Sequence, residues 1–147
     1  MLPFIGYHAG DYFQHWLDIG KGADAGKLPQ IFYVNWFRRD ISDGGEGTFL
    51  WPGYGENSRV LKWIVERLDG KGEAVETPIG HVPTPTALDL TGLDLSEEDL
   101  AAVLHVDRDE WLAEIPQVTE WFTKFGDKLP AVLWAELDAL RARLADA

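Results

Sequence analysis

The chain contains no cysteine, one methionine and few basic residues, and each scarcity removes a class of function. Without cysteine there is no disulfide framework, no thiol nucleophile and no cysteine-based zinc site. Such usage suits a reducing compartment, and a cytoplasmic location is expected. Thirteen Lys and Arg against twenty-five Asp and Glu give a formal charge of −12, so no basic surface is available for nucleic acid or an anionic membrane. No apolar run approaches the ~18 residues of a membrane span, and no basic segment precedes a short apolar one as in a signal peptide. Also missing are the GxxxxGK[ST] phosphate loop, GxGxxG, HExxH and a GxSxG elbow. No nucleophile is spaced with a base, so no catalytic residue and no metal ligand are assigned.

What remains is rich in rings. The 147 residues suffice for one domain with a real core, and 46% apolar and 12% aromatic residues argue against disorder. Seven tryptophans favour a rigid surface or an interface as well as a core. The chain is organised around Trp51–Lys62, WPGYGENSRVLK. Pro52 and Gly53 mark a tight turn, and Gly55 offers φ > 0 or a close approach to the backbone. Asn57 or Ser58 is the expected N-cap of a helix with Val60, Leu61, Ile64, Val65 and Leu68 on one stripe. A ring (Tyr54), an amide (Asn57) and free N–H groups then meet at one helix start, suited to a planar, hydrogen-bonding ligand. The alternative is a well-made turn with Tyr54 half-buried in the core.

The chain before the turn opens with an apolar, aromatic run, Met1–Ala9, that resembles a start inside a larger protein. Asp11 is the expected cap of a helix carrying Tyr12, Phe13, Trp16 and Leu17, ended by Gly20. His15 shares a face with Asp11 and Asp18, which are either metal ligands or, far more commonly, solvated acids. Ile31–Phe37 (IFYVNWF) is the strongest strand pattern and predicts burial on both faces. Polar residues Arg38–Gly47 then lead to a second strand, Thr48–Trp51, predicting a hairpin with a long, mobile tip.

After the turn and its helix, Gly70–Gly72 breaks the chain. Thr77–Pro85 has three prolines, which forbid a central strand and predict an extended edge carrying an exposed His81. Leu88–Leu95 reads as loop. Ser96 with Asp99, and Asp107 with Glu110, are helix-opening pairs. Trp111, Leu112, Ile115, Val118, Phe122 and Phe125 form a stripe that Pro116 should kink or split. Pro130 precedes a last stripe of Leu133, Leu137, Leu140 and Leu144. The fold class is therefore α+β: a short strand pair with a Pro-rich extended segment, backed by about five helices.

Four segments carry a resemblance: FIGYHAGDYFQHW at Phe4–Trp16, KLPQIFYVNWFRR at Lys27–Arg39, FLWPGYGENSRVLKW at Phe49–Trp63 and TPIGHVP at Thr77–Pro83. In them the chain resembles the C-terminal part of GTP-dependent phosphoenolpyruvate carboxykinase, over nearly its whole length. The resemblance implies that residues 1–147 are a C-terminal fragment of a larger α/β catalytic domain. It implies a parent that turns oxaloacetate and GTP into phosphoenolpyruvate, CO₂ and GDP in gluconeogenesis, with Mn²⁺ and Mg²⁺. It further implies a guanine held between the rings of Phe37, Phe49 and Tyr54, with Asn57 and the neighbouring backbone of Gly55 and Glu56 at its edge. Tyr54 stands where the family usually has phenylalanine, adding a hydroxyl, and the Arg38–Thr48 loop is longer than the family's usual one.

The phosphate loop, metal ligands, oxaloacetate-binding arginines and lid of that family lie upstream of the matching segments. The chain alone is therefore expected to lack activity, and its expected partners are a guanine nucleotide and the missing N-terminal part of the parent. A different class of function, a non-enzymatic tryptophan-rich module binding a protein or peptide, is equally free of catalytic groups. Guanine preference separates the two.

Overall fold

A computed structural model describes residues 2–40 and 46–146. They form α-helices α1 (Ala9–Lys21), α2 (Asn57–Leu68), α3 (Glu97–Leu104), α4 (Arg108–Thr123) and α5 (Ala131–Asp146). Two antiparallel strand pairs join them, β1 (Arg39–Asp40) with β2 (Thr48–Phe49) and β3 (Ala74–Thr77) with β4 (Gly80–Pro83). The architecture is α+β, with one strand pair more than the sequence pattern suggests. It divides into two compact units, Met1–Pro29 with Asp107–Ala147, and Gln30–Val106.

The first unit is helical. Its α1 opens two residues before Asp11: the Nδ1 of His8 accepts from the Gly10 N–H at 3.0 Å, making His8 the cap. Asp11 instead sits in the first turn, where its charge suits the helix dipole, and reaches Lys128 Nζ at 2.9 Å. Gly10 lies against the backbone of Lys128, where an added Cβ would stand 2.3 Å from the carbonyl oxygen. That approach lets Ala9 bury against Phe125 and Leu129, with the Phe13 and Phe125 rings edge-on at 5.4 Å.

Of the kink or split expected at Pro116, the split does not occur: the helix runs unbroken from Arg108 to Thr123. A mid-helix proline costs about 3 kcal/mol or more, and burial of the adjacent Ile115 against Leu137 and Leu144 of α5 offsets it. Phe125 lies beyond the helix end but is buried all the same. Asp107 caps α4 by accepting from the Glu110 N–H at 2.8 Å. Arg108 Nε donates to the Leu144 carbonyl, tying the start of α4 to the end of α5.

The second unit carries both strand pairs, α2 and α3. Its core is Trp63, Leu88 and Leu100, joined by half-buried Phe32, Ile64, Leu95 and Leu104. The Trp63 indole donates to the Glu73 carbonyl at 2.9 Å, so the large ring is buried with its polar atom satisfied. Ser96 accepts from the Asp99 N–H at 3.0 Å and opens α3 as its sequence predicts. The proline-rich segment forms the outer part of the β3–β4 hairpin, turning at Pro78–Ile79, with His81 exposed.

Ile31–Phe37 departs from its sequence pattern. Its alternating exposure is that of an extended chain as far as Asn35, with Trp36 and Phe37 in a turn, yet it joins no ladder among the described residues and is not buried on both faces. Phe32, Val34 and Trp36 turn inward while Ile31, Tyr33 and Phe37 remain 83%, 91% and 73% exposed. Burial on both faces needs strands on either side and a layer above and below. Only one side of this run is covered here.

Candidate functional site

The rings and amide singled out in the sequence sit on two consecutive tight turns of the second unit. The first follows the extended run. Asn35 Oδ1 accepts from the Phe37 N–H at 3.0 Å and turns the chain before Phe37. Arg38 then anchors it, with Nη1 donating to the carbonyls of Val103 (3.3 Å) and His105 (2.6 Å) while its own carbonyl accepts from the Leu50 N–H. The β1–β2 register sets Arg39 opposite Phe49, and Phe37 and Phe49 are thereby brought together. Their centroids lie 6.1 Å apart with planes tilted by 60°. The hairpin expected between Ile31–Phe37 and Thr48–Trp51 forms instead from Arg39–Asp40 and Thr48–Phe49, and its expected tip, Arg38–Gly47, falls partly on residues 41–45, which lie outside the described residues.

The second turn holds Tyr54. Gly53 adopts φ 78°, ψ −170°, a region open essentially to glycine alone. Tyr54 follows at φ 43°, the only non-glycine residue in the left-handed region among those described. The positive-φ positions of this turn are thus Gly53 and Tyr54; of the two roles offered for Gly55, φ > 0 is not adopted, and its backbone has open space beside it. Nor is Tyr54 half-buried: its ring is 98% exposed and has no ring partner among the described residues. The left-handed conformation costs a tyrosine roughly 1–2 kcal/mol, and no burial of its own ring offsets that here. Such local strain gathers at ligand-holding turns.

Tyr54–Glu56 is one turn of 3-10 helix running directly into α2, so neither Asn57 nor Ser58 is an N-cap. Ser58 Oγ donates back to the Gly55 carbonyl at 2.8 Å. Asn57 Oδ1 accepts from the indole N–H of Trp51 at 3.0 Å, and Trp51 is buried. Glu56 turns its carboxylate to Arg59, at 2.5 Å from Nε, and Arg59 also donates to the carbonyls of Asp89 (2.6 Å) and Thr91 (3.1 Å). Lys62 Nζ meets Asp89 at 2.8 Å. The Lys62 hydrogen bond first, and those from Thr91, hold the Asp89 carboxyl well below the usual carboxylate range, and the same pairing raises Lys62.

Sequence reasoning missed Trp51, Arg59 and Arg39. Trp51 and Arg59 both lie inside the singled-out stretch. An indole can only donate, so a tryptophan six residues before an asparagine in a tight turn was the available signal.

Among the described residues no group of three or more His, Asp or Glu is arranged to hold a metal. Asp18, one of the two acids considered with His15 for that role, pairs with Lys21 and Gln14 instead, and these hydrogen bonds lower its pKa. Open concavities of about 360 and 300 Å³ lie in the helical unit, the first lined by Gln14, Leu17, Lys21 and Val132 and the second beside Trp121. Neither touches the aromatic turns. No helix among the described residues is long and apolar enough to cross a membrane.

The sequence is similar to those of known proteins. The family described as phosphoenolpyruvate carboxykinase C-terminal P-loop domain matches residues 1–143. The chain belongs to that family. It is 56% identical over 146 residues, 99% of its length, to the phosphoenolpyruvate carboxykinase [GTP] of Arthrobacter sp. (strain FB24). It is 57% identical over 144 residues, 98% of its length, to that of Renibacterium salmoninarum, and 56% identical over 145 residues, also 98%, to that of Neocallimastix frontalis. In each case it spans 23% of the relative. The carboxykinase family is thus represented here by about a quarter of its relatives' length, and that quarter contains no GxxxxGK[ST] phosphate loop.

Proposed function

We propose that this chain is the base-holding portion of a GTP-dependent phosphoenolpyruvate carboxykinase, residues 1–147 being a C-terminal part of its catalytic domain. The carrying observation is Tyr54: a ring held 98% exposed by a left-handed backbone, three residues from Asn57. Phe37 and Phe49 offer two further faces, and Gly55 and Glu56 supply backbone beside them.

The division of labour follows from chemistry. Ring faces stack on any base, each contributing ~1–3 kcal/mol. Choice of base comes from edges: guanine offers an O6 acceptor and an N1–H donor where adenine offers the reverse. Because the Trp51 N–H takes one lone pair of Asn57 Oδ1, the amide cannot exchange its two ends without loss. Its NH₂ group suits O6, and the second lone pair of Oδ1 suits N1–H. Adenine would set donor against donor.

The full enzyme would convert oxaloacetate and GTP to phosphoenolpyruvate, CO₂ and GDP, a cytoplasmic step of gluconeogenesis. The Mn²⁺ and Mg²⁺ of that chemistry have no fitting ligand set among the described residues, so no step is assigned to them here. Alone, the chain would hold guanine weakly, since its rings form open surface and phosphate-holding groups are missing, and would release no CO₂ from oxaloacetate. The rival, a tryptophan-rich binding module, is weakened by burial: of seven tryptophans only Trp16 is exposed.

Titration with GDP, GTP and ATP tests the proposal. Tighter binding of both guanine nucleotides supports it; equal binding of all three, or none at millimolar concentration, overturns it.

A further inference from the structure

We propose that Arg39 is a positioning residue for base stacking: its guanidinium covers one face of Phe49 and leaves the other as the stacking face. The inference rests on the guanine-site reading above. Arg39 Cζ stands 4.3 Å from the centroid of the Phe49 ring, in range of a cation–π contact. The two residues are cross-strand partners in β1 and β2, so the contact is built into the register. Arg39 Nη1 also donates to the carbonyls of Glu46 (2.7 Å) and Gly47 (3.4 Å), on the strand-proximal side of the same hairpin. The guanidinium is therefore held at both ends, by the backbone ahead of β2 and by the ring within it.

Two consequences follow. A face occupied at 4.3 Å has no room for a base, so a nucleotide stacks on Phe49 only from the opposite side. Phe49 is also half exposed, and besides the guanidinium the tilted Phe37 is its one ring partner among the described residues. Arg39 thus acts through the ring and touches neither base nor phosphate. A lysine would keep the charge over the ring but not the planar fork that reaches Glu46 and Gly47.

The test is a titration of this chain with guanosine and with GDP, followed by NMR. The variants are Arg39→Gln, Arg39→Lys, Phe49→Ala and the double variant Arg39→Gln/Phe49→Ala. Arg39→Gln should weaken both ligands by the same factor, about two- to five-fold, the size of an exposed cation–π contact. Arg39→Lys should recover part of the loss. In the Phe49→Ala background Arg39→Gln should change nothing further, because the ring through which it acts is gone.

A loss for GDP that exceeds the loss for guanosine would mean a direct phosphate contact and overturns the inference. Equal losses in both backgrounds, or no recovery by lysine, overturn it as well. If Phe49→Ala weakens binding while Arg39→Gln does not, the positioning role alone fails. If Phe49→Ala leaves both ligands unaffected, the stacking site itself is wrong and the inference falls with it. Unchanged backbone spectra of each variant establish that the comparison is between folded chains.

Discussion

The indole N–H of Trp51 donates to Asn57 Oδ1 across 3.0 Å, joining a buried ring to the amide beside the exposed Tyr54. This bond makes an otherwise reversible amide directional. Trp51→Phe removes the donor together with the pyrrole part of the buried ring while keeping most of the buried volume. The loss of one partly buried hydrogen bond should cost about 1 kcal/mol of stability. Discrimination between GDP and ADP should narrow while the affinity for ADP stays near its starting value, because stacking is untouched. Asn57→Ala should narrow the same ratio further. A proportional loss for both nucleotides would assign Asn57 to holding the turn, and the base-reading role would be lost.

Tyr54 separates stability from binding. Tyr54→Ala or Phe37→Ala should weaken guanine nucleotides roughly 5- to 150-fold, from ~1–3 kcal/mol of stacking per ring. Tyr54→Phe keeps the face and should be nearly neutral. Tyr54→Asn is more informative, since asparagine tolerates the left-handed region that tyrosine adopts at φ 43°. It should raise the melting temperature while abolishing the stack. A variant that is both less stable and unchanged in affinity would make the tyrosine structural and sink the site assignment.

Of the two turns only the second, at Pro52–Asn57, was legible as a turn, the first lying inside the predicted strand Ile31–Phe37, and the reason it could be placed explains what could not. Pro52, Gly53 and Asn57 carry local backbone preferences, and preferences of that kind survive any tertiary context. The cap of α1 was misjudged because His8 accepts at Nδ1 where an aspartate two residues into the helix was the commoner choice. Pro116 was judged on its local cost, whereas burial of Ile115 with Leu137 and Leu144 is a tertiary gain that no spacing reports. Ile31–Phe37 shows the limit most clearly: its residues specify an extended run, but pairing depends on strands elsewhere. The Arg39–Phe49 contact needed the register of a two-residue ladder, which the sequence does not encode visibly.

The pairing of Lys62 with Asp89 predicts a mild acid sensitivity. The native Asp89 carboxyl is held below its unfolded value, so its contribution to stability is complete above pH ~4 and is lost as pH falls through the lowered native value. For Lys62 the sign reverses. Its pKa is raised, so its contribution is complete below pH ~10 and lost as pH rises through the native value. Both groups are exposed, so the effect is small and screened by salt. Melting curves between pH 7 and 2 should fall less steeply for Asp89→Asn than for the unaltered chain at low salt, with the difference vanishing at 1 M salt. Identical slopes would mean the pair contributes nothing to folding.

The extended run Ile31–Phe37 predicts how the chain behaves in solution. Its backbone joins no ladder among the described residues, and Ile31 and Tyr33 are 83% and 91% exposed on one side of it. An unpaired extended segment with outward apolar side chains is a template for pairing with another chain. Exposed Phe37, Phe49 and Tyr54 add rings on the same unit. The purified chain should therefore dimerise, aggregate or bind an apolar dye at micromolar concentration. Tyr33→Lys places a charge at an exposed position of the run and should shift it toward monomer; Val34→Pro, which removes one backbone donor, should do so as well. Neither residue belongs to the stacking site, so guanosine binding should persist in the Tyr33→Lys variant. Sedimentation velocity with and without the substitutions decides the matter. A monodisperse monomer that excludes the dye would mean that the exposed run needs no partner strand, and an association unaffected by both substitutions would place the contact elsewhere on the chain.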